Sequence, residues 1–309
     1  MKKSIAVKIE ISKGEEVKRR LSKEGLIRGD LLVKRDENHL LIPVKQRINE
    51  FEIVEDLFEE VKSKPRSYLE VVNVPEKVKP LLPKSFDIVG DIVLIKIPPE
   101  LIKYKNEIGR AILEVHKNIS AVFLSKPIKG EYRVREIEFI AGIEKTRTLH
   151  KEYGIELEVD VKEVFFSPRL AGERYRVARA TKSKDIVVDM FAGVGSFSIM
   201  IAKYSSPYIV YAIDKNPVAI SLAKRNAARN KVLDKVEIIE GDAREIIHIL
   251  SKKGVRADRI IMNLPFSAYN FFGDALSIAN NNCVIHYYDI LKEEDIENRI
   301  GSLKKIAKT

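Results

Sequence analysis

Between Ile186 and Tyr287 five short apolar runs, at residues 186–191, 209–213, 236–239, 259–262 and 283–287, alternate with helical stretches at 196–203, 217–230, 243–251 and 270–279. Few folds accommodate this pattern. A strand that is apolar along its whole length must be covered on both faces, and the intervening helices supply the cover. Such alternation builds a parallel sheet between two helical layers. Right-handed crossovers make it a Rossmann-like α/β domain, whose ligand lies beyond the carboxyl ends of the strands. The residues that close each run are therefore the first place to look for chemistry.

The chain upstream has a different character. Ile5, Val7, Ile9 and Ile11 alternate strictly and predict a half-buried strand. A helix is predicted over 13–24, with Val17 and Leu21 on one face and Gly25 at its end, followed by short strands at 31–34 and 40–44. Residues 1–58 thus read as a small β-α-β-β module. Residues 59–83 are polar, carry Pro65, Pro75, Pro80 and Pro83, and are expected to be a linker. An α+β domain is expected over 84–165. It has a strand at 88–97, a helix at 106–116 with Ile108, Ile112 and Val115 at core spacing, and strands at 121–124, 132–140, 147–150 and 155–161. The Rossmann-like domain fills 166–309, and a length of 309 residues suits this division.

Composition narrows the function. No stretch approaches the length of a membrane span, and the alternating amino terminus lacks the apolar core of a signal peptide. A lone cysteine, Cys283, excludes an internal disulfide and any zinc site of the CxxC type, and its apolar run makes it a core thiol. A soluble cytoplasmic protein is expected. One glutamine, no tryptophan and many Lys and Glu fit a heat-adapted source. The net charge of +10 is densest from Arg169 to Lys184, where six basic residues surround Glu173. Such a patch attracts polyanions, nucleic acid above all, or is a solvated helix face.

The first strand of the Rossmann-like domain runs directly into Asp189-Met-Phe-Ala-Gly193-Val-Gly195. Glycines at this turn let a ligand approach the backbone, although they also serve plain strand-to-helix turns. The dinucleotide fingerprint would place a third glycine at 198, where the chain has Ser198. The second strand ends at Asp214, a carboxylate that accepts from both ribose hydroxyls and excludes a 2′-phosphate. Asp242 ends the third, within reach of an adenine amino group. NAD and S-adenosylmethionine both fit these three features. The fourth strand decides between them: Asn263-Leu-Pro265 aims an amide and a carbonyl at a base, as a methyltransferase acting on a nucleobase requires. Ser198 and the lack of a hydride-site histidine disfavour an NAD-dependent oxidoreductase.

With these motifs in this order the sequence resembles the archaeal and eukaryotic tRNA (guanine-37-N1)-methyltransferases. The resemblance covers most of the chain. It includes the amino-terminal module, Gly90-Asp-Ile-Val, Tyr132-Arg133-Val-Arg, Thr148-Leu-His-Lys-Glu-Tyr-Gly154, Phe166-Ser-Pro-Arg-Leu-Ala-Gly-Glu173-Arg174, the Asp189–Gly195 loop, Asn263-Leu-Pro265 and His286-Tyr-Tyr288. It implies a class I methyltransferase domain using S-adenosylmethionine, with Asp189, Phe191, Gly193, Gly195, Asp214, Asp242, Ala243, Asn263 and Pro265 around the donor. It also implies Glu173 as general base, Arg133 as a catalytic arginine and Asn263 as a guanine-positioning residue. Arg169, Arg174, Arg176 and Arg179 would hold RNA phosphates, and the small module would touch the outer corner of the tRNA. A monomer without a metal is expected.

The chemistry agrees. Guanine N1 bears a proton, and a carboxylate in hydrogen-bond reach can remove it during methyl transfer. Charge then builds on O6, where a guanidinium stabilises it. The target base must leave the anticodon-loop stack. From the residues alone, Glu173 has a second reading as the ion-pair partner of Arg169 or Arg176, and Arg133 as a strand-surface charge. His286, Tyr287 and Tyr288 either edge the pocket or pack, and His116 and His150 read as structural. Domains of this class end in two antiparallel strands; residues 293–307 read as the helix before them, and the strands are expected to be missing. Two other functions stay open: methylation of the tricyclic wyosine precursor, and a catalytically impaired tRNA-binding protein.

Overall fold

Ile5, Val7 and Ile9 fall on strand β1 (Lys2–Glu10), the centre of a four-stranded antiparallel sheet in a computed structural model that describes residues 1–61, 65–129 and 134–308. Contacts divide the chain into two units, Met1–Pro65 and Arg66–Thr309. In the first, helix α1 (Gly14–Lys23) has Glu15 and Glu16 in its first turn and Arg20 and Lys23 in its last, which suits the helix dipole. Its Leu21 packs with Val7 and Val44, and Gly25, at φ 69, ends it. Strands β2 (Lys34–Arg35), β3 (His39–Pro43) and β4 (Glu52–Phe58) complete the sheet in the order β2-β3-β1-β4.

The sequence pattern predicts three strands here, and β4 is the addition. Its acidic residues hide the pattern because they pair with lysines on β1: Lys3 Nζ lies 2.7 Å from Glu55 and Lys8 Nζ 3.4 Å from Glu52. The strand expected at 31–34 is reduced to β2 and an isolated bridge from Leu31 to Glu60.

The expected linker also differs. Tyr68, Val72, Val74 and Leu82 are buried in one core with Val93, Ile95, Ile108 and Ile112. Tyr68 lies on a 3-10 helix, Tyr68–Glu70, and the other three flank a second one, Glu76–Leu81. The prolines that suggested an open connection instead prevent longer helices or strands while leaving apolar side chains free to pack. Strands β5 (Asp87–Val89), β6 (Ile92–Ile95), β7 (Ala121–Lys129) and β8 (Val134–Gly142) form a sheet in that order. Helix α2 (Lys105–Val115) is the crossover between parallel β6 and β7. Gly90 turns β5 into β6 at φ 56, and a Cβ there would lie 2.1 Å from Thr148 Oγ1.

A hairpin of β9 (Arg147–Glu152) and β10 (Ile155–Asp160) joins this sheet to the next layer. After helix α3 (Ala171–Ala180) come β11 (Ile186–Asp189), α4 (Ser196–Tyr204), β12 (Ile209–Asp214), α5 (Pro217–Arg229), β13 (Val236–Glu240), α6 (Ala243–Lys252), β14 (Ala257–Met262), α7 (Phe272–Ile278), β15 (Ala279–Tyr287) and α8 (Ile296–Ile306). The five strands are parallel, in the order β13-β12-β11-β14-β15. The chain therefore reverses direction across the sheet between β11 and β14, the switch point where a crevice opens. Among the described residues no antiparallel strand joins this sheet, and no helix is long and apolar enough to cross a membrane.

Side-chain amides dock the hairpin on α5. Buried Asn226 accepts from the Glu158 N–H at 2.7 Å and donates to the Glu158 and Val194 carbonyls, while Asn230 accepts from the Glu156 N–H and donates to its carbonyl. These bonds replace a neighbouring strand along β10, which would otherwise bury unpaired backbone groups.

Candidate functional site

The carboxyl ends of β11 to β14 open into one cavity of about 420 Å³, lined by Phe191, Gly193, Asp214, Asp242, Ala243, Asn263 and Pro265 among others. That volume suits a nucleoside with a tail. Every strand of the switch point contributes.

The loop after β11 is fixed by its backbone. The Ala192 N–H donates to Ile213 O at 2.8 Å, and Gly193, at φ 55, points its N–H at Asp214 Oδ2, 2.7 Å away. The other oxygen of Asp214 accepts from the Asn216 N–H at 2.9 Å. One carboxylate thus ties the two loops that a ribose would touch. Burial raises its pKa, and these backbone donors oppose the rise. Asn216 caps α5 through Oδ1 and donates to Glu163 O at 2.9 Å.

Two expected donor-site residues stand behind the wall. Gly195, at φ 82, is the N-cap of α4; a Cβ there would come within 3.1 Å of Ile199 Cδ1 and 3.4 Å of Ala223 Cβ. Its role is close helix packing. Asp189 is 1% exposed, accepts the Ser198 hydroxyl at 2.8 Å through Oδ2, and among the described residues has no side-chain or backbone donor within hydrogen-bond geometry of Oδ1. Burial pushes its pKa up to about 7, with the charge of Asp214 adding to the rise. A buried orphan oxygen beside Met190 and Phe191 of the wall suits a cationic group on a ligand.

Asp242 caps α6, accepting from the Arg244 N–H at 2.9 Å, while its other oxygen lies 3.7 Å from Lys215 Nζ. Phe191 meets Phe271 edge-on at 5.1 Å. Beyond Asn263 and Pro265, the rim continues with Phe266, which is 62% exposed and sits at φ 69, its N–H held by Asp289 Oδ1 at 3.1 Å. The walls also include Phe165, Phe166, Ser167 and Leu170 just before α3. Asn263 and Pro265 are marked by the sequence motif, whereas Phe165 and Phe266 are not, although each adjoins a motif: Phe165 the one that begins at Phe166, and Phe266 the one that ends at Pro265.

Helix α3 sorts the basic patch by direction. Arg174 was expected to face RNA, but it is 2% exposed. Its guanidinium grips Glu152 at 2.6 and 2.5 Å, donates to Ser167 O and lies over the Phe166 ring. It cannot reach a phosphate; it pins α3 and the Ser167 turn to β9. Glu152 also faces His150 Nε2 at 3.4 Å, and His150 Nδ1 accepts from Gly90 N–H, so that histidine is structural as expected. Arg169 is exposed and pairs with Asp87 at 2.6 Å; Arg135 reaches the same carboxylate at 3.1 Å and lies over Phe165. Arg179 is exposed.

Glu173 is held from both sides. Arg176 donates to Oε2 from Nε and to Oε1 from Nη2, each at 2.7 Å, and the Tyr288 hydroxyl donates to Oε1 at 2.6 Å. Arg176 keeps the carboxyl below its usual pKa, against the opposing effect of burial. Tyr288 N–H donates to Met262 O, the residue before Asn263, so this carboxylate is tied to the rim. His286 accepts from the buried Arg259 at 2.6 Å, and burial, with that positive charge, pushes it down to about 4. Cys283 is half-buried, and burial pushes its thiol up to about 11, which keeps it unreactive. Arg133 lies outside the described residues.

Three family descriptions match in succession: a tRNA methyltransferase 5 N-terminal domain over 6–52, a TYW2 N-terminal domain over 66–146, and a TRM5/TYW2 methyltransferase domain over 148–309. The tRNA (guanine(37)-N(1))-methyltransferase Trm5b of Pyrococcus abyssi is 49% identical over 293 residues, 94% of this chain and 86% of that protein. The crystal structure of Trm5b from Pyrococcus abyssi superimposes with a TM-score of 0.80 at 47% identity, covering 99% of this chain and 90% of that one. A complex of aTrm5 with tRNALeu gives 0.79 at 38% identity (96% and 90%). Methanocaldococcus jannaschii Trm5 in complex with adenosine gives 0.65 at 36% (97% and 90%). With its fold, its strand-end carboxylates and all three segments matched, the chain belongs to the TRM5/TYW2 methyltransferase family.

Proposed function

We propose that this protein transfers a methyl group from S-adenosylmethionine to N1 of guanosine 37 in tRNA. The observation that carries the reading is the junction of two sites. A nucleoside-sized cavity ends at Asn263, and Glu173, an ionised carboxylate, is tied one residue away through Tyr288 and Met262. A methyl donor and a base are thereby brought to one place.

The donor supplies an electrophilic methyl on a sulfonium. Asp214 accepts from its ribose hydroxyls, Asp242 and Ala243 flank its adenine, and Phe191 packs on it. Asp189, behind the wall, attracts its ammonium by charge rather than by contact. Asn263 and the stiffening Pro265 set the edge of the guanine, Glu173 removes the N1 proton as the new N–C bond forms, and Arg133 stabilises the charge that develops on O6. Arg169, Arg176 and Arg179, on the solvent side of α3 and its approach, hold the phosphates flanking the extruded base. The amino-terminal module, residues 1–58, touches the tRNA outer corner, and the protein acts as a cytoplasmic monomer.

The test uses labelled donor and two tRNA transcripts, with guanosine or adenosine at position 37. Label should enter only the guanosine transcript. Glu173→Gln should still bind donor and tRNA while methyl transfer falls by roughly 10² to 10⁴, the scale of one general base. Lost donor binding would make Glu173 structural. Label in both transcripts would overturn the target base.

A further inference from the structure

Three donated hydrogen bonds converge on the Glu173 carboxylate, two from Arg176 and one from Tyr288. A carboxylate has about four lone-pair sites. The guanine N1 proton must therefore find the last one, on Oε2, or displace a donor. The two partners are not alike. The Arg176 side chain is 60% exposed, and an exposed ion pair is weak and easily exchanged. Tyr288 is only partly exposed, its ring packs on Phe197 at 5.8 Å, and its N–H is bonded to Met262 O. One donor can leave and the other cannot.

We propose that Tyr288 is the fixed positioning residue of the base, and that Arg176 is a removable clamp which an RNA phosphate draws away, freeing the carboxylate when substrate binds. The inference rests on Glu173 being the base. In the free protein both Glu173 oxygens are engaged by the guanidinium, so the carboxylate is a poor proton acceptor. A phosphate beside the extruded base offers Arg176 the same bidentate geometry, and the neighbouring phosphates of the RNA add their field to its single charge. Once it exchanges, Oε2 is open towards N1 while Tyr288 still fixes Oε1.

The pH sign follows from what faces Glu173. Arg176 lies on its own helix, and Tyr288 and His286 approach from β15 and the residues after it. His286 is kept neutral by burial and by Arg259, and Asp189 lies near Tyr288. Arg176 holds Glu173 low, so its departure raises the pKa. The acid limb of the single-turnover rate at saturating tRNA, which reports the complex, should lie at higher pH than the limb of kcat/KM, which reports the free enzyme. In Arg176→Gln the two limbs should coincide and tRNA should bind more weakly. Equal limbs in the unaltered protein, or a gap that survives in Arg176→Gln, would overturn the clamp.

Tyr288→Phe should lower the saturated single-turnover rate roughly 10- to 100-fold, the scale of a lost hydrogen bond to a charged group, move its acid limb to higher pH and leave donor affinity intact. In a Glu173→Gln background the same substitution should do almost nothing, because the group it positions is gone. An equal loss in both backgrounds would make Tyr288 a packing residue, and no loss in either would overturn its role. If Glu173→Gln alone were harmless, the base assignment would fail instead.

Discussion

The floor and the mouth of the site are built on different principles. On the floor, the Asp214 carboxylate is gripped by two backbone N–H groups, from Gly193 and Asn216, and is half-buried in the cavity wall. At the mouth, Glu173 is gripped by two side chains, one of them largely exposed. Backbone donors are fixed by the fold and cannot leave, so the floor is organised before any ligand arrives. Side-chain donors can exchange partners, so the mouth can answer to its substrate. The division matches the tasks: the donor is always the same molecule, whereas the guanine must be presented by a bulky polyanion.

The largest expected effect tests whether the mouth has any rigid support. Arg174→Ala leaves Glu152, with a side chain 3% exposed, without its bidentate partner. Losing one member of a buried pair costs about 3 to 5 kcal/mol. Denaturant unfolding should show that loss, and donor affinity should fall too, because the Ser167 turn of the cavity wall loses its anchor. A change below about 1 kcal/mol would mean the pair is dispensable. Next in size is Asp214→Ala, which should weaken donor binding roughly 10- to 100-fold with tRNA affinity nearly unchanged. Equal losses for both ligands would show that floor and mouth are one unit.

That contrast also explains what the sequence disclosed. The alternation of apolar runs and helices marked all five strands of the parallel sheet, and carboxylates at strand ends marked Asp214 and Asp242, because strand termini in this fold converge by topology. Nothing local distinguishes Arg174 from Arg176, two residues away on one helix. Their opposite fates depend on Glu152, 22 positions upstream, and on which face of α3 meets β9. Tyr288 lies 115 positions from the carboxylate it holds. Strand β4 was obscured by its acids, which find lysines on β1, and the buried side chains of 66–83 by the prolines around them.

A smaller effect probes the floor by pH. Asp189 has a pKa raised above the ordinary carboxylate value to about 7, so the free fold favours its protonated form and loses stability as pH rises towards 7. A cationic ligand group reverses that preference. Donor affinity should then rise about tenfold from pH 6 to pH 8, with proton release on binding, seen by calorimetry in buffers of different ionisation enthalpy. Asp189→Asn should flatten the profile. A flat profile in the unaltered protein would place the ammonium elsewhere.

The smallest effect concerns Phe266, where the rim borrows a device from the floor. A left-handed backbone is rare for an aromatic residue and costs of order 1 kcal/mol or more, yet Phe266 adopts φ 69 with its N–H fixed on Asp289 Oδ1. Asp289 is itself held by the Tyr287 hydroxyl at 2.7 Å and faces Arg299 of α8 at 3.5 Å. The backbone is thus strained by a rigid anchor while the ring is 62% exposed. Phe266→Gly removes the strain and little buried surface, so it should stabilise the fold by about 1 kcal/mol, a rise of roughly 2 °C in Tm. A fall in Tm would show that ring contacts outweigh the strain, and that this stretch of the mouth is packed as firmly as the floor.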